Sequence, residues 1–174
     1  MPEDARDLAV PPIPTAPPLT LREAVVAELE KGGLDPVLPE HSAWVTAGLV
    51  AGDAEVHLAI DSCDEREMVW AFGHLRGRVP ADRRAAVAEL LTHINYGTVG
   101  TSFDLDFSDG AVRIRGMLDG ITPAEGRRID RLVASIARGV ERWYAAIMAV
   151  AFGDSDPAAA CERELLVAAS AGNR

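Results

Sequence analysis

The side chains best suited to chemistry in this 174-residue chain are four histidines, two cysteines, a short run of acids and a line of arginines. A catalytic nucleophile needs a base within hydrogen-bond reach and a third group to orient that base. Cys63 falls in a polar turn between two strand-like segments carrying His57 and His74, so one hairpin holds a thiol and two imidazoles. His41 falls in a loop and His93 late in a helix, apart from that group. The spacing favours the plainer reading of Cys63 as an incidental thiol. Cys63 and Cys161 form neither a CxxC pair nor a Cys/His ligand cluster, so reduced thiols in a reducing compartment are expected. Asp61, Asp64, Glu65 and Glu67 offer oxygens for a hard cation, but without the spaced ligands and central glycine of a calcium loop they read as a solvated turn. No catalytic residue, metal site or cofactor is expected.

Two other sets suit binding. Arg128, Arg131, Arg138 and Arg142 recur at helical intervals, with Ser135 at the missing step, on the face away from Ile129, Val133 and Ile136. Such a line suits an acidic peptide, a phosphate backbone or the acidic surface of a second subunit. Its plain alternative is a solvated helix face balanced by Asp130 and Glu141. Met68, Trp70 and Phe72 share one strand face, expected to be core. Trp44 is out of phase with Val45, Ala47 and Leu49, which places it on the opposite sheet face. Were Trp70 to join Trp44 on an uncovered face, the two would form an apolar patch for a client or a second protomer.

Composition bounds these readings. At 48% hydrophobic residues the chain can bury a core, and its length suits one domain with a tail. A net charge of -10 argues against nucleic acid or an anionic membrane surface as a partner. The segment 1–18 reads as a flexible tail, holding six of the 11 prolines and favouring extended polyproline conformation. Glu3, Asp4 and Asp7 are the reverse of a signal peptide's basic start, and the uncharged run 143–153 is far short of a membrane span. A cytoplasmic location is the expectation.

The elements that must position these residues are legible in outline. Thr20 and Glu23 form a capping box for a first helix that Gly32 and Gly33 end. Strands are expected over residues 42–50, 55–61 and 67–75, with Val56, Leu58 and Ile60 on the buried face. A helix from Pro80 buries Val87, Leu90, Leu91 and Ile94, and Asn95 with Gly97 closes it. Asp109 and Gly110 suit a two-residue hairpin turn, which would set Phe107 opposite Val112, Leu105 opposite Ile114, Asp106 opposite Arg113 and Asp104 opposite Arg115. A second capping box, Thr122 with Glu125, opens a long helix to about Phe152, and a short helix with Cys161, Leu165 and Leu166 follows Asp156-Pro157. The fold expected is α+β: an antiparallel sheet of about five strands with helices packed on it, in the order α-βββ-α-ββ-α plus a short C-terminal helix.

The stretch AAVAELLTHINYGTVGTSFDLDFSDGAVRIRGMLDG, residues 85–120, resembles the YbjN family, bacterial proteins described as sensory transduction regulators. The resemblance lies in a helix ending in an asparagine-containing turn, followed by the hairpin. It implies a fold shared with type III secretion chaperones over about residues 19–153, flanked by the tail and by a C-terminal helical extension, 154–174. It implies a non-enzymatic, chaperone-like or regulatory protein-binding module, often a homodimer, whose client the sequence does not identify. Trp44, Trp70, Arg128, Arg131, Arg138 and Arg142 are the expected partner-binding residues. The alternative is a ligand-sensing domain holding a small molecule between sheet and long helix. An enzyme using Cys63 or a histidine comes third.

Overall fold

Thr20 and Glu23 start the first helix as their spacing predicts. The Thr20 amide donates to Glu23 Oε2 at 2.8 Å and the Glu23 amide to Thr20 Oγ1 at 3.2 Å, pairing two amides that a helix start otherwise leaves open. Helix α1 (Leu21–Lys31) buries Leu21, Ala24, Val25 and Leu29 and ends at Gly32. The computed structural model describes residues 19–171, the last four by backbone alone; the proline-rich segment 1–18 lies outside the described residues. After α1 come β1 (Val45–Ala51), β2 (Ala54–Cys63), β3 (Met68–Leu75), α2 (Arg84–Tyr96), β4 (Thr101–Leu105), β5 (Val112–Leu118), α3 (Gly126–Phe152) and α4 (Pro157–Ala171). This is the expected α+β order. The strands form one antiparallel sheet, β1-β2-β3-β5-β4.

Burial alternates along the strands and shows which face is covered. Val45, Ala47, Val56, Leu58, Ile60, Val69, Ala71, Leu75, Val112 and Ile114 are buried, and none of the described strand residues on the opposite face is. Helix α3 lies across the covered face with α1 and α2 beside it, and α4 packs on α2 and α3. Along α3, Ile129, Leu132, Ile136, Val140, Trp143 and Ile147 are buried, with Val133 and Tyr144 partly so. The approach of α3 is close. A Cβ at Gly139 would stand 2.5 Å from Ile114 Cδ1, and one at Gly116 2.5 Å from Leu132 Cδ1, so bare backbone on both partners makes room for the helix.

Four expectations are corrected. The face bearing Met68, Trp70 and Phe72 is not core: these side chains are half-buried, while Val69, Ala71, Gly73 and Leu75 point beneath the helices. The close helix requires small side chains under it, which leaves the large ones for the other face. The hairpin is shifted by two residues, with Leu105 opposite Val112, Phe103 opposite Ile114 and Asp104 opposite Arg113. Asp106 turns back to accept from the Ser108 amide at 2.7 Å, and Gly110, at φ 79°, donates to the Asp106 carbonyl at 2.8 Å. The turn is thereby a four-residue loop, and Phe107 is exposed at its tip. A shift of two keeps every side chain on its expected face. Both α2 and α3 begin one short 3-10 turn later than expected, after residues 81–83 and 123–125. The terminal helix is 15 residues rather than short; Cys161 is buried, whereas Leu165 and Leu166 are exposed.

Candidate functional site

The uncovered sheet face is the candidate site, and strand register assembles it. One cross-strand row runs His57, His74, Arg113, Asp104; the next runs Thr46, Ala59, Phe72, Arg115, Ser102; a third runs Asp61, Trp70, Met117. Trp44, just before β1, reaches over this face to Phe72, with ring centroids 5.7 Å apart. The Arg113 guanidinium covers the other side of Phe72 at 4.7 Å. Trp44 is 37% exposed and Met117 49%. The result is an aromatic strip over β1 to β5 with cations on its β5 side.

Those cations are only partly neutralised. Asp104 Oδ2 accepts from Arg113 Nε at 3.1 Å and stands 3.3 Å from Arg115 Nε, so two guanidiniums share one carboxylate. Arg76 pairs with Glu55, and Arg78 with Asp109 at 3.0 Å. The rings of His57 and His74 lie 6.4 Å apart. Burial foremost, then the positive charge of Arg113, His57 and Arg78, holds the His74 imidazole below its ordinary pKa. A cavity of about 550 Å³ opens beside these histidines, lined by Val50, Glu55, His57, His74, Arg76 and Arg78 among others. Between the sheet and the end of α3, a cleft bounded by Leu75, Val112, Met148 and Phe152 has only about 10 Å³, room for about one water.

The remaining sequence candidates fall elsewhere. Cys63 and His57 sit six residues apart on β2, about 20 Å along the strand, and His74 is opposite His57 while Cys63 is opposite Met68. No thiol–imidazole pair is assembled there; Cys63 Sγ donates to Glu65 at 3.3 Å. The acidic run is divided among structural tasks. Asp64 Oδ1 accepts from the Leu21 amide at 2.9 Å, adding a cap to α1 from a distant turn, and the Glu67 carbonyl accepts from the Ile121 amide. Among the described residues, no three His, Cys, Asp or Glu side chains converge as metal ligands would. His41 and His93 are exposed and apart from the face.

The arginine line divides. Arg128 donates to the carbonyls of Gly120 and Asp119 at 3.0 Å and to Glu125, holding the turn before α3. Arg131, Arg138 and Arg142 are exposed on the far side of α3 from the sheet; Arg138 donates to Ser135 and Arg142 stacks on Trp143 at 4.8 Å. No described carboxylate lies within ion-pairing distance of these three.

Some working residues carry little sequence signal. Asn95 uses both ends of its amide on Phe103, donating to the carbonyl and accepting from the N–H, each at 2.8 Å. Arg83 caps the end of α3 through the carbonyls of Val150 and Gly153, and Arg84 grips the hairpin loop through the Phe107 carbonyl at 2.8 Å. An arginine's long reach leaves no periodic mark, so only the first could have been suspected, from its place in the asparagine-containing turn.

The hairpin and the helices around it agree with a known family pattern. A family model described as "YbjN: Putative bacterial sensory transduction regulator" matches residues 22–149. The chain belongs to the YbjN family. A solved structure titled "Crystal structure of YbjN, a putative transcription regulator from E. coli" is similar at TM-score 0.54 and 14% identity, covering 73% of this chain and 92% of that one. At that identity the YbjN likeness concerns the fold. Among curated proteins, none matches the chain. The family's description is that of a regulator rather than an enzyme. Helix α4 and the segment 1–18 lie outside the matched YbjN residues, and no described helix is long and apolar enough to cross a membrane.

Proposed function

We propose that this YbjN-family chain is a non-enzymatic regulatory adaptor that binds protein, including a second copy of itself, through the uncovered face of its sheet. The observation that carries the reading is the strip of Trp44, Phe72, Trp70 and Met117 on a face that no described helix covers. Aromatic side chains in a partly desolvated patch, bordered by arginine, are the residue types that dominate protein interfaces. Chaperone-like handling of a client belongs to the same reading, with Arg131, Arg138 and Arg142 left for an acidic segment of that client. The test is light scattering on the full chain across a concentration series, with Trp70→Ser compared. An interface anchor of this kind contributes about 2 kcal/mol or more, so the variant is expected to weaken self-association about 30-fold. Met117→Ser, at a more exposed position, repeats the test with less risk to folding. A strict monomer at every concentration removes the self-association.

A ligand-sensing reading keeps one supporting observation, the cavity beside His57 and His74. Its place is the uncovered face, not the cleft under α3. Thermal shifts with small anions that vanish in His57→Gln would favour it.

A further inference from the structure

On the reading that the uncovered face binds a second copy, we propose that the two copies meet about a twofold axis passing over the backbone of Ala71, with Asp61 of each set against Arg115 of the other. Both side chains are left open on the face. Asp61 Oδ1 accepts from the Ser62 amide at 2.9 Å, and no described cation lies within ion-pairing distance of this carboxylate. Arg115 uses its Nε on Ser102 Oγ at 3.1 Å and on the Asp104 oxygen that it shares with Arg113. Neither Nη of Arg115 has a partner among the described residues. The face therefore carries one unmatched acid and one half-matched base.

Strand register fixes where they stand. Asp61 is opposite Trp70 and Arg115 is opposite Phe72, so acid and base flank β3 on its two sides, one row apart. With about 4.8 Å between strands and about 3.4 Å per residue, they are about 10 Å apart across the sheet and about 7 Å along it. The midpoint of that diagonal falls on β3 between Trp70 and Phe72, in the middle of the aromatic strip. A twofold axis parallel to the sheet and at right angles to the diagonal carries Asp61 of one copy onto Arg115 of the other, and does so twice. The same operation lays Phe72 over Ala59 of the second copy and Trp70 over its Met117, large rings against a small and a flexible side chain. A hollow of about 320 Å³ bounded by Trp70, Ser102, Arg115 and Met117 lies there to receive them. An axis along β3 would instead press Asp61 onto Met117 and Arg115 onto Ala59, leaving each charge covered and unpaired. The two charge pairs thus select one orientation, while the strip supplies the affinity.

The test is charge reversal on the full chain, Asp61→Arg and Arg115→Glu, read by sedimentation equilibrium in about 0.05 M salt, where screening is weak. Each variant alone is expected to self-associate about tenfold more weakly, because like charges then meet twice. An equal mixture of the two is expected to associate about as tightly as the unaltered chain, since both contacts of the mixed pair again join opposite charges. The direction for Asp61→Arg is diagnostic: it moves the net charge from -10 toward zero, which by itself would tighten association. Tighter self-association of Asp61→Arg, or a mixture no tighter than its two components, overturns the proposal. Asp61→Asn and Arg115→Gln, which disturb the fold less, are expected to weaken association about threefold each, and no loss in either also overturns it. If Trp70→Ser weakens association while the charge variants do not, this pairing falls and the face reading stands. No effect of Trp70→Ser defeats the face reading itself.

Discussion

Asn95 holds β4 through two hydrogen bonds to Phe103, and β4 is an edge strand with one sheet neighbour. Each partly buried bond that is lost leaves a backbone group unpaired, at about 1 kcal/mol or more. Asn95→Ala is expected to cost about 2 kcal/mol in urea unfolding, and Asn95→Asp, which keeps the acceptor for the Phe103 amide but sets a carboxylate oxygen against the Phe103 carbonyl, at least as much. A cost below about 0.5 kcal/mol for Asn95→Ala would mean that the pair of bonds does not hold β4. His74 supplies a pH dependence. Its folded pKa lies below the unfolded value of about 6.5, so below that pH the unfolded chain binds a proton that the folded one refuses. Stability is therefore full above about pH 6.5 and declines as pH falls from there to the folded pKa. His74→Gln is expected to flatten the melting temperature across that window, and Arg113→Gln to flatten it in part. The declines due to Glu23 and Glu125, whose carboxyls the cap hydrogen bonds hold low, come below about pH 4.5 and stay separate. The caps themselves were legible because Thr-x-x-Glu is a local pattern. Asn95's partner, eight residues away, was not.

At the scale of elements, legibility followed the range of the interaction that decided each feature. Helix faces were readable because Val87, Leu90, Leu91 and Ile94 must share one side whatever surrounds them. The hairpin register was not, since Asp106, Ser108 and Gly110 close a loop whose shape also depends on Val79 and Arg84. Gly110 donates within the loop while its carbonyl accepts from Val79, and a Cβ there would overlap the Val79 backbone. Gly110→Ala is expected to lose more than about 2 kcal/mol, combining overlap with strain at positive φ. Gly139→Ala sets two effects against each other. Helix propensity gains about 1 kcal/mol, and crowding of the fully buried Ile114 costs about 1–3. A net loss of about 1 kcal/mol is expected, and it should vanish or reverse when Ile114→Val removes the crowded methyl. Additive effects in that double-mutant cycle would place the cost elsewhere. The same close approach explains why the aromatic face was misjudged. Side-chain size suggested core, but a helix this near selects Ala71, Gly73 and Gly116 beneath it and sends Trp70 and Phe72 to the other side.

For the whole molecule, the fold class was readable from element order, whereas the candidate site needed the sheet order to bring Trp44, Phe72 and Arg113 together. The net charge of -10 now bears on how two copies would meet. They can join through the apolar strip, or through the exposed Arg131, Arg138 and Arg142 of one copy against the acids of another. Salt affects these arrangements in opposite directions. Two chains of the same strong charge repel, and with a Debye length of about 10 Å at 0.1 M, added salt screens that repulsion and leaves apolar contact intact. Pairing of arginine with acid is itself screened and weakens. Association through the sheet face is expected to tighten modestly, about two- to threefold, between 0.05 and 0.5 M salt. Changing Arg131, Arg138 and Arg142 together to Gln should leave it nearly unchanged. Sedimentation equilibrium at the two salt concentrations measures both. Association that loosens with salt and is lost in the triple variant would move the interface from the strip to the arginine line.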